Sequence, residues 1–181
     1  MKNRLMLGGF KKGMGMLSCL LLVMFFMVSA TEVFSQKANF SGTWTLNISK
    51  SNFGEQSGGG GPRMGAATLA VTQEGNDMTI ERMSQRRDGR EFKTTEKLTL
   101  DGKVSENQAF NGTRKSTASY SSDGKTLNIS STLRFEREGQ VVERNSTDTW
   151  TLSDGGKTLT IVTTASTPRG ERKITTVYDK K

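Results

Sequence analysis

The sequence predicts an all-β fold, an antiparallel up-and-down barrel of about ten strands behind an N-terminal export signal. Three observations carry this. Turn dipeptides recur along the chain at roughly hairpin spacing. The segments between them alternate apolar with polar residues and are rich in Thr, Ser, Val and Ile. No segment keeps a helical period.

The opening stretch reads as the signal. Lys2, Arg4, Lys11 and Lys12 form a basic region, and Leu17 to Val28 is apolar apart from Ser18 and Cys19. That run is shorter than the about 20 residues a membrane span needs and suits the core of a signal peptide. Small residues offer cleavage after Ala30 or after Ser35; the second is favoured because Gln36 then starts a chain that orders soon afterwards. Residues 1–35 are therefore expected to be a signal peptide and 36–181 one barrel domain, with an uncleaved anchor as the alternative. Cys19 is the only cysteine and lies within the apolar run, where a lipidated cysteine would follow it. The mature chain can then form no disulfide, which fits a bacterial periplasmic or secreted protein better than a eukaryotic secreted domain. Five N-x-S/T triplets, at Asn39, Asn47, Asn111, Asn128 and Asn145, are expected by chance in so Ser/Thr/Asn-rich a chain.

Ten strands are expected near residues 40–49, 66–73, 77–85, 91–100, 104–110, 114–121, 126–136, 140–152, 158–166 and 171–178. The turn signals between them are Glu74-Gly75, Asp88-Gly89, Asp101-Gly102, Asn111-Gly112, Asp123-Gly124, Glu138-Gly139, Asp154-Gly155 and Arg169-Gly170. Asp-Gly and Asn-Gly reach the positive φ of tight hairpins at little steric cost. Pro62 and Pro168, the only prolines, fall at connections. A closed barrel removes exposed sheet edges, which favours it over a two-sheet sandwich. Residues 53–65, with four consecutive glycines, form a flexible loop able to flap over one end.

The formal charge of +8 includes four basic residues and one acidic residue of the leader, leaving 22 basic against 17 acidic residues, or +5. The densest basic group, Arg82, Arg86, Arg87 and Arg90, surrounds one turn with only Phe92 nearby. That reads as a solvated loop; nucleic-acid binding would want a patch with interleaved aromatics.

The first strand, Phe40-Ser41-Gly42-Thr43-Trp44-Thr45-Leu46, resembles the opening of the calycins, the lipocalins and fatty-acid-binding proteins. Asn52-Phe53 and the late Tyr178 bring it nearer to the fatty-acid-binding proteins. The chain is also similar to small secreted lipocalin-like proteins of Bacteroidetes-type bacteria. The resemblance implies a ten-strand barrel, a tryptophan packed across its closed end and a lipophilic ligand inside. Two features depart from it. The glycine loop stands where those proteins insert two helices, and Thr176 stands where an arginine paired with the tyrosine holds the ligand carboxylate.

Residues i and i+2 share a strand face, so alternation assigns the interior. Phe40, Trp44, Leu46 and Ile48 point inward on the first strand, and Leu127, Ile129, Leu133, Phe135, Leu159, Ile161, Ile174 and Tyr178 on later ones. Phe40, Trp44, Leu46 and Trp150 are expected to floor the barrel. The same phase turns charges inward. Glu96 follows Phe92 and Leu98, Arg114 follows Ala118 and Tyr120, Arg144 and Asp148 follow Trp150, and Arg172 follows Ile174. Strand three is ambiguous, since Met78 and Ile80 imply an inward Arg82 while Met83 wants the opposite phase, which a bulge would reconcile. Buried charges need partners, water or a ligand. They are either a self-satisfied plug, such as Arg144 with Glu96 or Asp148, or an amphipathic ligand site built from Arg114, Tyr120, Arg144, Asp148, Glu96, Tyr178 and Arg172.

No histidine occurs anywhere, and no cysteine follows the leader. This removes His-based triads, His-ligated zinc or haem and thiolate chemistry, so no cofactor or metal is expected. The glycine run lacks the lysine and helix of a phosphate loop. Glu96 and Asp148 are the carboxylates left for glycoside-type chemistry, without a cleft motif. The expected function is non-catalytic binding of a small amphipathic or lipophilic molecule, with no nucleic-acid partner and no stable membrane insertion once the signal is removed. Two alternatives stand beside it. One is a filled barrel acting through its surface, with Val141, Val162 and Val177 as an outward apolar patch. The other is a cyclase or isomerase of the kind calycin-like barrels host, with Glu96 or Asp148 at a sealed cavity.

Overall fold

Alternating sequences bury one strand face, and ten such strands wrap into a nearly closed barrel in the computed structural model, which describes residues 36–54, 66–85, 89–109, 111–167 and 170–181. The strands are β1 (Gly42–Leu46), β2 (Thr68–Glu74), β3 (Asp77–Gln85), β4 (Glu91–Thr99), β5 (Asp101–Ala109), β6 (Gly112–Tyr120), β7 (Thr126–Arg137), β8 (Gln140–Ser153), β9 (Thr158–Thr167) and β10 (Gly170–Lys180). One 3-10 turn, Asp154–Gly156, follows β8, and no α-helix occurs among the described residues. The signal peptide with its cleavage sites, the glycine loop beyond Gly54, and Arg86 and Arg87 of the basic turn lie outside the described residues.

The spatial order is β4-β3-β2-β1-β10-β9-β8-β7-β6-β5, every neighbour antiparallel. This is the up-and-down meander, closed by β1 against β10. The β4 and β5 edges share no backbone ladder; side chains bridge them instead. The Asn107 amide accepts from the Lys97 N–H at 2.8 Å and donates to the Lys97 carbonyl at 2.9 Å, imitating a paired strand. Ser105 Oγ accepts from the Thr99 N–H at 3.0 Å. The seam thus satisfies backbone groups that an open edge would leave unpaired.

One end is closed by apolar packing. Phe40, Trp44, Trp150, Leu69, Met78, Ile80, Leu127 and Leu159 are fully buried, and Leu46 packs against them half-buried. Phe40 precedes β1: the chain crosses the floor before Gly42, whose φ of 140° turns it into the strand. The Phe40 ring meets Trp150 edge-on at 5.8 Å and stacks on Tyr120 at 6.3 Å. The Trp44 indole N–H donates to the Phe40 carbonyl, and the Tyr120 hydroxyl to the Ala38 carbonyl, so the crossing segment is fastened at both ends.

Four expectations are corrected. Strand three needs no bulge, because its register with β2 and β4 runs unbroken and Arg82 points inward. Ile48 is 56% exposed, because β1 stops at Leu46 and the Asn47 side chain, accepting from Ser49 and the Lys50 N–H, turns the chain. The proposed outward patch of Val141, Val162 and Val177 does not form. Val177 is buried where residues 47–52 run along β10, with the Asn47 N–H on its carbonyl and Ser51 Oγ on its N–H. β5 starts at Asp101, so the Asp101-Gly102 signal lies at its irregular first turn rather than before it.

Candidate functional site

Above the apolar floor the interior turns polar. Pairing of Ile80 with Glu96 and of Arg82 with Thr94 makes Arg82 and Glu96 diagonal neighbours on the inner face. Arg82 Nη1 lies 2.7 Å from Glu96 Oε2, and Ser116 Oγ donates to Glu96 Oε1 at 3.0 Å while sitting 2.9 Å from Ser131 Oγ. Both oxygens of the buried Glu96 are therefore engaged. This corrects the expected pairing of Arg144 with Glu96 or Asp148. Alternation reports a face, not which strands are neighbours, and β3 lies beside β4 whereas β8 does not. Asp148 is taken by Thr163, whose Oγ1 donates to Oδ1 at 2.7 Å. Burial raises the Asp148 carboxyl above its ordinary value; Thr163, Arg82 and Arg114 oppose this and Glu96 adds to it.

The same strands leave space beside this layer. Ser116, Ser131, Ser146 and Ala165 sit side by side across β6, β7, β8 and β9, so small side chains form one wall. Of this wall Ser146 borders a cavity of about 370 Å³, bounded on inner faces by Arg82, Phe92, Glu96, Arg114, Asp148 and Thr163. Asn107 of the seam also borders it. Arg114 has no hydrogen bond or ion pair among the described residues, in contrast to Arg82. The chamber therefore offers one satisfied ion pair, one free guanidinium, one half-engaged carboxyl and an aromatic wall.

Of the seven side chains expected at a ligand site, Arg114, Glu96 and Asp148 come together here. The other four do not border this cavity. Tyr120 belongs to the floor, where burial raises its phenol and the Gln73 amide bonds its hydroxyl. Tyr178 is buried in the core below and is likewise raised by burial. Arg144 is exposed over the Phe135 ring at 5.3 Å, and Arg172 donates to the Phe53 carbonyl. Sequence reasoning missed Thr163, although the phase of Leu159 and Ile161 places it inward. It left Arg82 undecided because Met83 obscured the phase.

A larger trough of about 500 Å³ lies on the outer face, over the Thr117, Ser130, Thr147 and Thr164 row. Its floor is of small hydroxyl side chains and lacks an aromatic wall, so the smaller interior cavity is better suited to an amphipathic guest.

No family profile and no curated relative matches this sequence. Among solved structures, the zebrafish ileal bile acid-binding protein, determined in complex with cholic acid, is similar over 78% of this chain and 98% of its own. The TM-score is 0.53 and the identity 20%. The likeness establishes the fold, an antiparallel up-and-down barrel.

Proposed function

We propose that this protein is an exported, non-catalytic carrier that holds a small amphipathic molecule in the chamber between Arg82, Arg114, Glu96 and Asp148. The observation that carries the reading is the cavity itself, about 370 Å³, within the size range of small-molecule sites and lined by convergent polar groups beside Phe92. A plug would have consumed its charges internally; among the described residues Arg114 stays free. The structural neighbour supports it as well, being named a binding protein and carrying a bile acid. The basic, then apolar, then small-residue leader supports export, and the cysteine-free remainder supports a bacterial periplasmic or secreted location. A surface-acting module is the second reading, favoured by the outer trough.

Native mass spectrometry of the protein after incubation with a bacterial lipid extract tests this. An added mass that is lost on denaturation and weakened in Arg114→Ala is expected. A clean apo mass, or uptake indifferent to Arg114, would move the assignment to the outer surface.

A further inference from the structure

Two polar groups in the chamber are only part-used. Among the described residues, Arg114 reaches it from β6 without a hydrogen-bond or ion-pair partner, and Asp148 from β8 with Oδ1 on Thr163 and no hydrogen bond on Oδ2. They do not bond each other, whereas Arg82 and Glu96, a few residues away, close to 2.7 Å. A free cation beside a carboxyl is a selective arrangement. An anion drawn to Arg114 is repelled by an Asp148 carboxylate, but it is welcomed by an Asp148 carboxylic acid, which donates its O–H to the anion.

Resting on the carrier reading, we propose that Arg114 and Asp148 form the head-group subsite, that it takes an anionic group, and that Asp148 binds a proton from solvent when the anion enters. The charged and titratable groups around Asp148 agree. Arg82 on β3 is spent on Glu96 of β4, which adds negative charge, and Tyr178 on β10 is a neutral phenol. Arg172 on β10 is turned to the Phe53 carbonyl, and Arg144, on the same strand as Asp148, lies over Phe135. The flanking strands set Ile129 and Thr163 opposite Asp148, neither of which titrates. Burial already holds its proton more firmly than usual, and an anion alongside holds it more firmly still.

The sign follows. The bound state has the higher Asp148 pKa, so binding takes up a proton between the free and bound values. Affinity for an anion is highest on the acid side and falls by up to about tenfold per pH unit across that window, then levels off.

Two fluorescent probes with the same aromatic body separate the claims. 8-Anilinonaphthalene-1-sulfonate stays anionic throughout, and N-phenyl-1-naphthylamine lacks the sulfonate. Both are titrated into the protein from pH 4 to 8, with circular dichroism confirming the fold at each pH. The sulfonate is expected to bind more tightly as pH falls, the neutral probe to show a flat profile, and Asp148→Asn to hold the sulfonate tightly with no pH dependence. Arg114→Gln should weaken the sulfonate by at least tenfold and spare the neutral probe. Calorimetry of the unaltered protein in buffers of different ionisation enthalpy reads the proton uptake directly and needs no variant to fold. A flat sulfonate profile without proton uptake, or a slope that survives in Asp148→Asn, overturns the subsite while the carrier reading stands. If neither probe binds at any pH, the carrier reading falls and the subsite with it.

Discussion

Glu96 and Asp148 are both inward carboxyls of one barrel, and their surroundings give them different work. Glu96 has a cation on one oxygen and a serine hydroxyl on the other, so its charge is balanced inside the fold. Asp148 has one threonine and otherwise faces the chamber, and burial keeps its proton on more firmly than in the unfolded chain. The native state therefore binds more protons than the unfolded state between the ordinary carboxylate pKa of about 3.9 and the raised native value. Stability contributed at this position is complete below that window and is lost as pH rises through it. Asp148→Asn keeps an oxygen for Thr163 and removes the ionisation. The variant is expected to be more stable than wild type at pH 7, with the difference closing as the pH falls toward 4. Urea unfolding at a series of pH values measures this, and a constant difference would contradict the assignment.

At the scale of the strand, the turn chemistry and alternation made all ten elements legible. Glu138 and Gly139 have φ of 55° and 74°, the left-handed pair that a two-residue hairpin turn requires. Asn111-Gly112 marked a turn for a partly different reason: a Cβ on Gly112 would strike the Arg134 carbonyl and lie 2.7 Å from the Phe135 Cβ. What alternation does not contain is pairing, so the β4–β5 seam was not readable. Asn107 looks like any strand asparagine until its amide is found on both backbone groups of Lys97. Each net hydrogen bond of the half-buried seam amide contributes about 1 kcal/mol. Asn107→Ala is therefore expected to lower stability by roughly 1–2 kcal/mol for its two bonds, with a much larger local effect. Hydrogen exchange should show the Lys97 N–H losing protection well beyond the global change. Uniform loss across β3 and β4 would mean that the seam is held by something else.

For the whole molecule, the fold and the closed end could be read from phase alone, because Trp44, Trp150 and Leu127 repeat with the strand period and are fully buried. The chamber was only half readable. Glu96, Arg114 and Asp148 follow that same phase, while Arg82 depends on ignoring Met83, and the partners of each depend on which strands meet. The barrel that results divides its labour along its axis. The floor is an apolar cluster fastened by the segment that crosses it, and the polar chamber is bounded by Arg82, Glu96, Arg114 and Asp148. Stability and binding should accordingly respond to different residues. Phe40→Ala empties a fully buried site between Trp150 and Tyr120 and is expected to cost about 3–5 kcal/mol, the range for truncating a buried aromatic. Under conditions where that variant remains folded, its affinity for a neutral aromatic probe should stay within a few-fold of wild type. Arg114→Gln should do the reverse, with an almost unchanged urea midpoint and a weakened anionic guest, because Arg114 has no hydrogen bond or ion pair to lose among the described residues. Parallel loss of stability and affinity in both variants would show instead that the floor and the chamber form one cooperative unit, with the guest completing the core.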